Sequence, residues 1–184
     1  MLLSRIRSRS SNSALVRIAA IVLFAALTAL TARITIPLPF TPVPITLQVM
    51  IVLLAGLTLG AKDGALSQIA YIASIAVGLP FDANGLGTAA FASPTAGYLI
   101  GFVAGYLAER GLHRNRALRF FAGLAGVSVI YFIGTAWLTR LFLNGDWLKG
   151  WTLGIAPFIV IDLIKALIAS ATAEGARVWL NRSK

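Results

Sequence analysis

The sequence predicts an all-α integral membrane protein, a bundle of six transmembrane helices with the N and C termini cytoplasmic. Three observations carry that prediction. Of 184 residues, 58% are apolar and 12% charged, and the mean hydropathy is +0.85. Soluble domains carry roughly a quarter charged residues, and so short a chain has too small an interior to hide that much apolar surface from water. The apolar residues gather in long runs, and the basic residues collect on one side of those runs. Helices are expected because the backbone must satisfy itself in hydrocarbon, and no alternation of period two supports a barrel.

In chain order, residues 1–13 form a basic tail carrying Arg5, Arg7 and Arg9, and the first span is Ala14–Thr31. Basic residues before an apolar run also describe a signal peptide. This run is long for one and has no clean A-x-A cleavage site, so it is retained as a span. The second and third spans, Thr46–Gly60 and Gly64–Leu79, meet at a tight turn holding Lys62 and Asp63. Thr95–Ala108, Ala117–Leu138 and Pro157–Ala173 follow, and 174–184 is a second basic tail, so the membrane domain is 14–173. About 20 helical residues cross roughly 30 Å of hydrocarbon, and several of these spans are shorter. A thin or partly wet interior near one face is therefore expected.

The connections differ in kind. On one side lie the Lys62–Asp63 turn and a basic loop from Glu109 to Arg119 that contains His113, the one histidine. On the other lie three longer segments. Ala32–Ile45 carries Pro37, Pro39, Pro42 and Pro44, which exclude helix and favour extended chain. Pro80–Pro94 is glycine-rich without Lys or Arg, and Thr139–Ala156 carries Trp147 and Trp151. Arg5, Arg7, Arg9, Arg17, Lys62, Arg110, Arg114, Arg116, Arg119, Arg177, Arg182 and Lys184 fall on the first side; Arg33, Arg140 and Lys149 fall on the second. Twelve against three is the positive-inside asymmetry, and it places the termini in the cytoplasm. Trp147 and Trp151 suit the outer aromatic belt and Trp179 the inner one. The net charge of +10 thus reports orientation rather than nucleic-acid binding.

Several chemistries are absent from the sequence. There is no cysteine, no metal-ligand cluster, no H-E-x-x-H and no phosphate-binding G-x-x-x-x-G-K-[ST]. Gly85-Leu86-Gly87-Thr88-Ala89-Ala90 matches G-x-G-x-x-A but follows no strand of a βαβ unit, so it carries no dinucleotide signal. No metal and no cofactor is expected. An enzyme in the membrane would need paired acids or histidines, and only one acid, Asp162, falls inside a span. Any energy from ATP must come from another chain.

Asp162 and Lys165 stand inside the last apolar run, where each charge costs about 2.5–3.5 kcal/mol unless paired, wet or functional. At i and i+3 they share a helix face. With Pro157 as the first helical residue they lie roughly 8 and 12 Å below the helix end. Three roles are open: a pair that only neutralises itself, a carboxylate acceptor and ammonium donor for a polar ligand, or a proton relay. One acid without a second acid or a histidine makes a poor relay. Asn84 and Tyr98 are candidates for hydrogen bonds to such a ligand, with Phe81, Phe91 and the Tyr98 ring as apolar walls and Thr46 and Gln48 as weaker polar candidates. Gly97, Gly101 and Gly105 form a small-residue ladder suited to close helix packing, and Ala25 and Ala29 form a similar face on the first span.

Four ordered blocks together resemble one family. They are Pro42-Val43-Pro44-Ile45-Thr46-Leu47-Gln48 leading to Leu53-Leu54-Ala55-Gly56, then Gly78-Leu79-Pro80-Phe81, then Pro94-Thr95-Ala96-Gly97-Tyr98-Leu99-Ile100-Gly101-Phe102, and Asp162-Leu163-Ile164-Lys165. The chain resembles the BioY family, the biotin-binding S components of energy-coupling factor (ECF) transporters, from Ala14 to Ala173. It departs in reading Ser93-Pro94-Thr95-Ala96-Gly97-Tyr98 where the family has G-P-T-G-G-Y, and in a less glycine-rich outer loop over Phe81–Phe91. The resemblance implies a biotin site near the extracellular face, with Asp162 and Lys165 in it and Asn84 toward the substrate carboxylate. It also implies as partners a transmembrane coupling protein, met by the Ala25–Ala29 face, and a pair of ABC-type ATPases. Alternatives are an S component for another small vitamin or cofactor precursor, or a membrane scaffold.

Overall fold

The structure, a computed structural model, describes residues 2–108 and 116–182; His113 and most of the basic loop around it lie outside the described residues. Helix α1 (Leu2–Ala32) leads into a two-stranded hairpin, β1 (Thr35–Ile36) and β2 (Ile45–Thr46). Then come α2 (Gln48–Leu59), α3 (Ala61–Ala76), a 3₁₀ turn (Gly87–Ala92), α4 (Ala96–Ala108), α5 (Arg116–Phe142), α6 (Trp147–Gly154) and α7 (Ile159–Arg182). Each span expected from the sequence overlaps a helix, although Thr46 falls in β2 and residues 77–79 lie beyond α3. Helix α1 runs back to Leu2, so residue 14 marks a change of composition and not of secondary structure.

Ala14–Ala32 and Leu118–Phe142 are each long and apolar enough to cross a bilayer, and α6 with α7 as far as Ala176 meets the same test as one span bent by 50°. The apolar α2 is shorter: its 12 residues rise only about 18 Å. Burial runs as it does in lipid, where large apolar side chains can face outward and polar ones gather inside. Leu15, Val22, Phe132, Leu148 and Leu167 are exposed, whereas Thr28, Ser67, Gln68, Thr135 and Thr139 are buried.

Helix α2 touches α1, α3, α5 and α7, which places it at the centre of the bundle, and α4 lies along α5. The glycine ladder explains that close approach. A Cβ at Gly101 would stand 2.9 Å from Ile130 Cα, and one at Gly97 would overlap Trp137. Both glycines therefore serve packing inside this bundle; the surroundings of Gly105 lie outside the described residues. Ion pairs tie helices at two further points. Arg17 and Asp63 join α1 to α3 at 2.6 Å, and the buried Arg119 joins α5 to Glu174 of α7.

The four prolines leave 37–44 outside the ladder, so the hairpin is only two residues deep on each side, pairing Thr35 with Thr46 and Ile36 with Ile45. Thr41 donates its hydroxyl to Leu153 C=O at 2.7 Å and so ties the proline segment to α6. Helix α6 falls within Thr139–Ala156, which the sequence analysis gives only as a connection between spans. Its signals are the turn at Asn144 and Gly145, both with positive φ, and Asp146, whose side chain caps the helix by accepting from Lys149 N–H.

Candidate functional site

The site is built where α7 begins. Residues 155–158 are turns and the helix starts at Ile159, so Pro157 precedes the helix instead of opening it. The depths expected from the sequence shrink accordingly. Asp162 and Lys165 stand three and six residues beyond Ile159, about 4.5 and 9 Å along the axis. Asp162 thus occupies the first turn, where unpaired N–H groups and the helix dipole favour a carboxylate.

Both charges are buried, with side chains 4% and 7% exposed. Lys165 Nζ donates to Asp162 Oδ1 at 2.6 Å, and Tyr131 of α5 donates its hydroxyl to Oδ2 at 2.7 Å. An ammonium has three donors, and one of those on Lys165 is engaged by Asp162. A buried charge with spare hydrogen-bonding capacity is costly to leave unpaired and suited to a ligand that brings an acceptor.

Asp162, Lys165 and Tyr131 line a cavity of about 610 Å³, its open mouth included. One wall is the proline segment and hairpin, from Val43 to Thr46, with Gln48 and Val49 of α2. Opposite stand Tyr98, Leu99 and Phe102 of α4 with Ile130 of α5, and Phe158 closes the α7 side. Asp82, Ala83 and Thr95 complete the lining. The mix of apolar walls with a few convergent polar groups is that of a small-molecule site.

The other expected residues divide. Gln48 lines the cavity and donates to Tyr71 Oη at 2.7 Å; Tyr71 in turn donates to Phe81 C=O at 3.0 Å, so the loop after α3 is tied to α2. Tyr98 presents its ring to the cavity, while its hydroxyl donates to Gly154 C=O at 2.9 Å. A Cβ at Gly134 would overlap that ring, so the glycine is what admits it. Asn84 and Phe81 are exposed and absent from the lining; Asn84 N–H donates to Asp82 Oδ2 at 3.0 Å. Ala29 is buried and Ala25 half-buried against the apolar core, so that face of α1 turns into the bundle, and Val22, Leu23, Ala26 and Leu30 turn outward.

Tyr131 and Asp82 are among the lining residues that the sequence does not single out. Tyr131 lies in an apolar run where a tyrosine carries no signal by itself, and its partner is 31 residues away. Asp82 stands in the loop after α3, outside the apolar runs. It is 1% exposed, and its Oδ1 accepts Gly87 N–H at 2.9 Å as its Oδ2 accepts from Asn84, so it folds the loop around itself at the cavity wall. The available clue is the Asx turn, in which an acid accepts from the backbone N–H two residues further on. No cluster of potential metal ligands occurs among the described residues.

Fold and site together define a helical membrane protein with a largely apolar cavity beside a buried, charged pair. Comparison with known proteins narrows the class. The pattern that defines the BioY family matches residues 6–182. A probable biotin transporter BioY of Pyrococcus horikoshii is 44% identical over 156 residues, covering 84% of this chain and 91% of that protein. The biotin transporter BioY of Thermotoga maritima is 40% identical, covering 82% and 89%. A crystal structure of the S-component for biotin from an ECF-type ABC transporter superposes with a TM-score of 0.82 at 28% identity, covering 90% of this chain and 93% of that one. The chain belongs to the BioY family, and it has the S-component fold.

Proposed function

We propose that this protein is the biotin-specific S component of an ECF transporter, capturing biotin at the cavity and delivering it across the membrane with a coupling protein and a pair of ABC-type ATPases. It is a membrane transporter's substrate-binding subunit rather than an enzyme. The observation that carries the reading is the buried Asp162–Lys165 pair at the cavity wall. A ureido ring offers two N–H donors to the carboxylate and a carbonyl to the free ammonium protons, so neither charge is left without a partner. The bicyclic ring and valeryl chain suit walls made of Tyr98, Leu99, Phe102, Ile130 and Phe158.

We read six spans, α1 to α5 and α7, from the apolar runs, and with that number the distribution of basic residues favours both termini in the cytoplasm and the cavity on the external side. The ends of α1, α3 and α5 and the starts of α2, α4 and α7 then share the outer side. The outward face of α1, with Val22, Leu23 and Ala26, is the surface it leaves for the coupling protein, since Ala25 and Ala29 are engaged in the bundle.

The test is titration of the detergent-purified protein with labelled biotin, together with mass spectrometry of the ligand it carries after expression. Saturable binding of one biotin per chain, competed by unlabelled biotin and not by other vitamins, is expected. No saturable binding refutes the proposal.

A further inference from the structure

We propose that Arg33 makes the site selective for a ligand with an anionic tail, acting as the cation at the mouth of the cavity. The inference rests on the biotin reading above and concerns the end of the ligand opposite the ureido ring. It begins with charge. The charged residues lining the cavity are Asp82, Asp162 and Lys165, whose formal charges sum to −1. A carboxylate entering such a site meets net repulsion unless a cation stands close by.

Three basic residues fall at this end of the bundle by the sequence analysis: Arg33, Arg140 and Lys149. Lys149 is paired with Asp146, and Arg140 lies in the last turn of α5. Arg33 is placed differently. It follows the last residue of α1, and its guanidinium packs on the loop that supplies Asp82 and Ala83 to the cavity. A Cβ at Gly85 would stand 2.6 Å from Arg33 Nη1 and 3.5 Å from Cζ. Gly85 is glycine because its φ is +70°, and the end of the Arg33 side chain lies against the open side of that residue.

Arg33 is exposed and has no acidic partner among the described residues, so its donors face water. No ion pair joins it to Asp82, whose oxygens accept from the Asn84 and Gly87 N–H groups within the loop. Arg33 offsets the negative cavity wall and offers a planar fork that matches a carboxylate in two hydrogen bonds. This is the cationic group that the sequence analysis did not supply for the substrate's tail; Asn84, its candidate there, is exposed on the same loop.

The experiment compares biotin with biotinamide, in which the tail is neutral and the ureido ring unchanged, on the intact protein and on Arg33→Ala and Arg33→Lys. The intact protein is expected to bind biotin about tenfold tighter than the amide. Arg33→Ala brings that ratio close to one while leaving amide affinity within about twofold, and Arg33→Lys keeps part of the preference. A preference that persists in Arg33→Ala, equal loss of both ligands in that variant, or no preference in the intact protein overturns the proposal. Absence of saturable binding of both ligands to the intact protein instead overturns the biotin reading on which it rests.

Discussion

The chain spells Asp-x-x-Lys twice, at Asp146–Lys149 and at Asp162–Lys165, and each copy opens a helix. The first pair spans 3.4 Å with side chains 40% and 66% exposed; the second spans 2.6 Å with side chains 4% and 7% exposed. Asp146 caps α6 by accepting from Lys149 N–H, and water satisfies what remains. Asp162 has its oxygens taken by Lys165 and Tyr131, and its helix is packed on α2 and α5 with a cavity at its side. Identical spacing thus yields an exposed cap in one place and a buried, cavity-lining pair in the other. The difference lies in what packs around them: nothing supplied by the four residues themselves separates the two.

The comparison is broken most sharply at the buried copy. Asp162→Asn or Lys165→Ala removes one member of a desolvated pair and an interaction with the ureido ring, and either change is expected to weaken biotin binding about a hundredfold, measured by titration of the purified variants. Normal binding by both variants would make the buried pair structural, like any other ion pair in the bundle. Tyr131→Phe keeps the ring and removes the hydroxyl from Asp162 Oδ2. A loss of about tenfold in affinity is expected, with thermal stability changed by about 1–2 kcal/mol, which separates orientation of the carboxylate from loss of the fold.

The exposed copy gives the smallest effect. Asp146→Ala or Lys149→Ala leaves biotin affinity within about twofold, because neither residue reaches the cavity. The backbone N–H of Lys149 holds the Asp146 carboxyl below its ordinary 3.8, with the Lys149 side chain adding to the effect. A carboxyl whose folded value is depressed contributes stability that is complete above its unfolded value and vanishes as pH falls through the folded one. The gap in melting temperature between the intact protein and Asp146→Ala is therefore expected to be widest above about pH 4 and to close in stronger acid. A gap that widens on acidification contradicts the cap.

The same contrast explains what could be read from sequence. Long apolar runs set the spans, because composition over some twenty residues is a local property that lipid selects directly. Two charges within such a run mark themselves as exceptional, which is why Asp162 and Lys165 were visible. Tyr131 and Gln48 depend on partners 31 and 23 residues away, and a tyrosine or glutamine near a membrane helix carries no sign of which neighbour it will meet. Pro157 is a case of a sound local rule applied one step early: proline suits the first helical position, but here the turn through Phe158 delays the helix to Ile159. Asn84 and Asp82 exchange importance for a related reason. The polar residue in view from sequence was the amide, while the fold buries the acid to close the loop and leaves the amide exposed. Ala25 and Ala29 make a small-residue face in the sequence, and whether such a face meets its own bundle depends on how α1 packs, which places Ala29 in the core and Ala25 against it.

The central claim is that the buried pair reads the ureido ring, carboxylate to N–H and ammonium to carbonyl. Its most direct test is the relative affinity of the intact protein for biotin and for 2-iminobiotin in its protonated form, where the ring carbonyl becomes a positively charged donor. Lys165 then loses its acceptor and faces a like charge, so binding weaker by about a hundredfold or more is predicted. Equal affinity for the two ligands would contradict the account, since it would leave the ammonium of Lys165 with no part in recognising the ring.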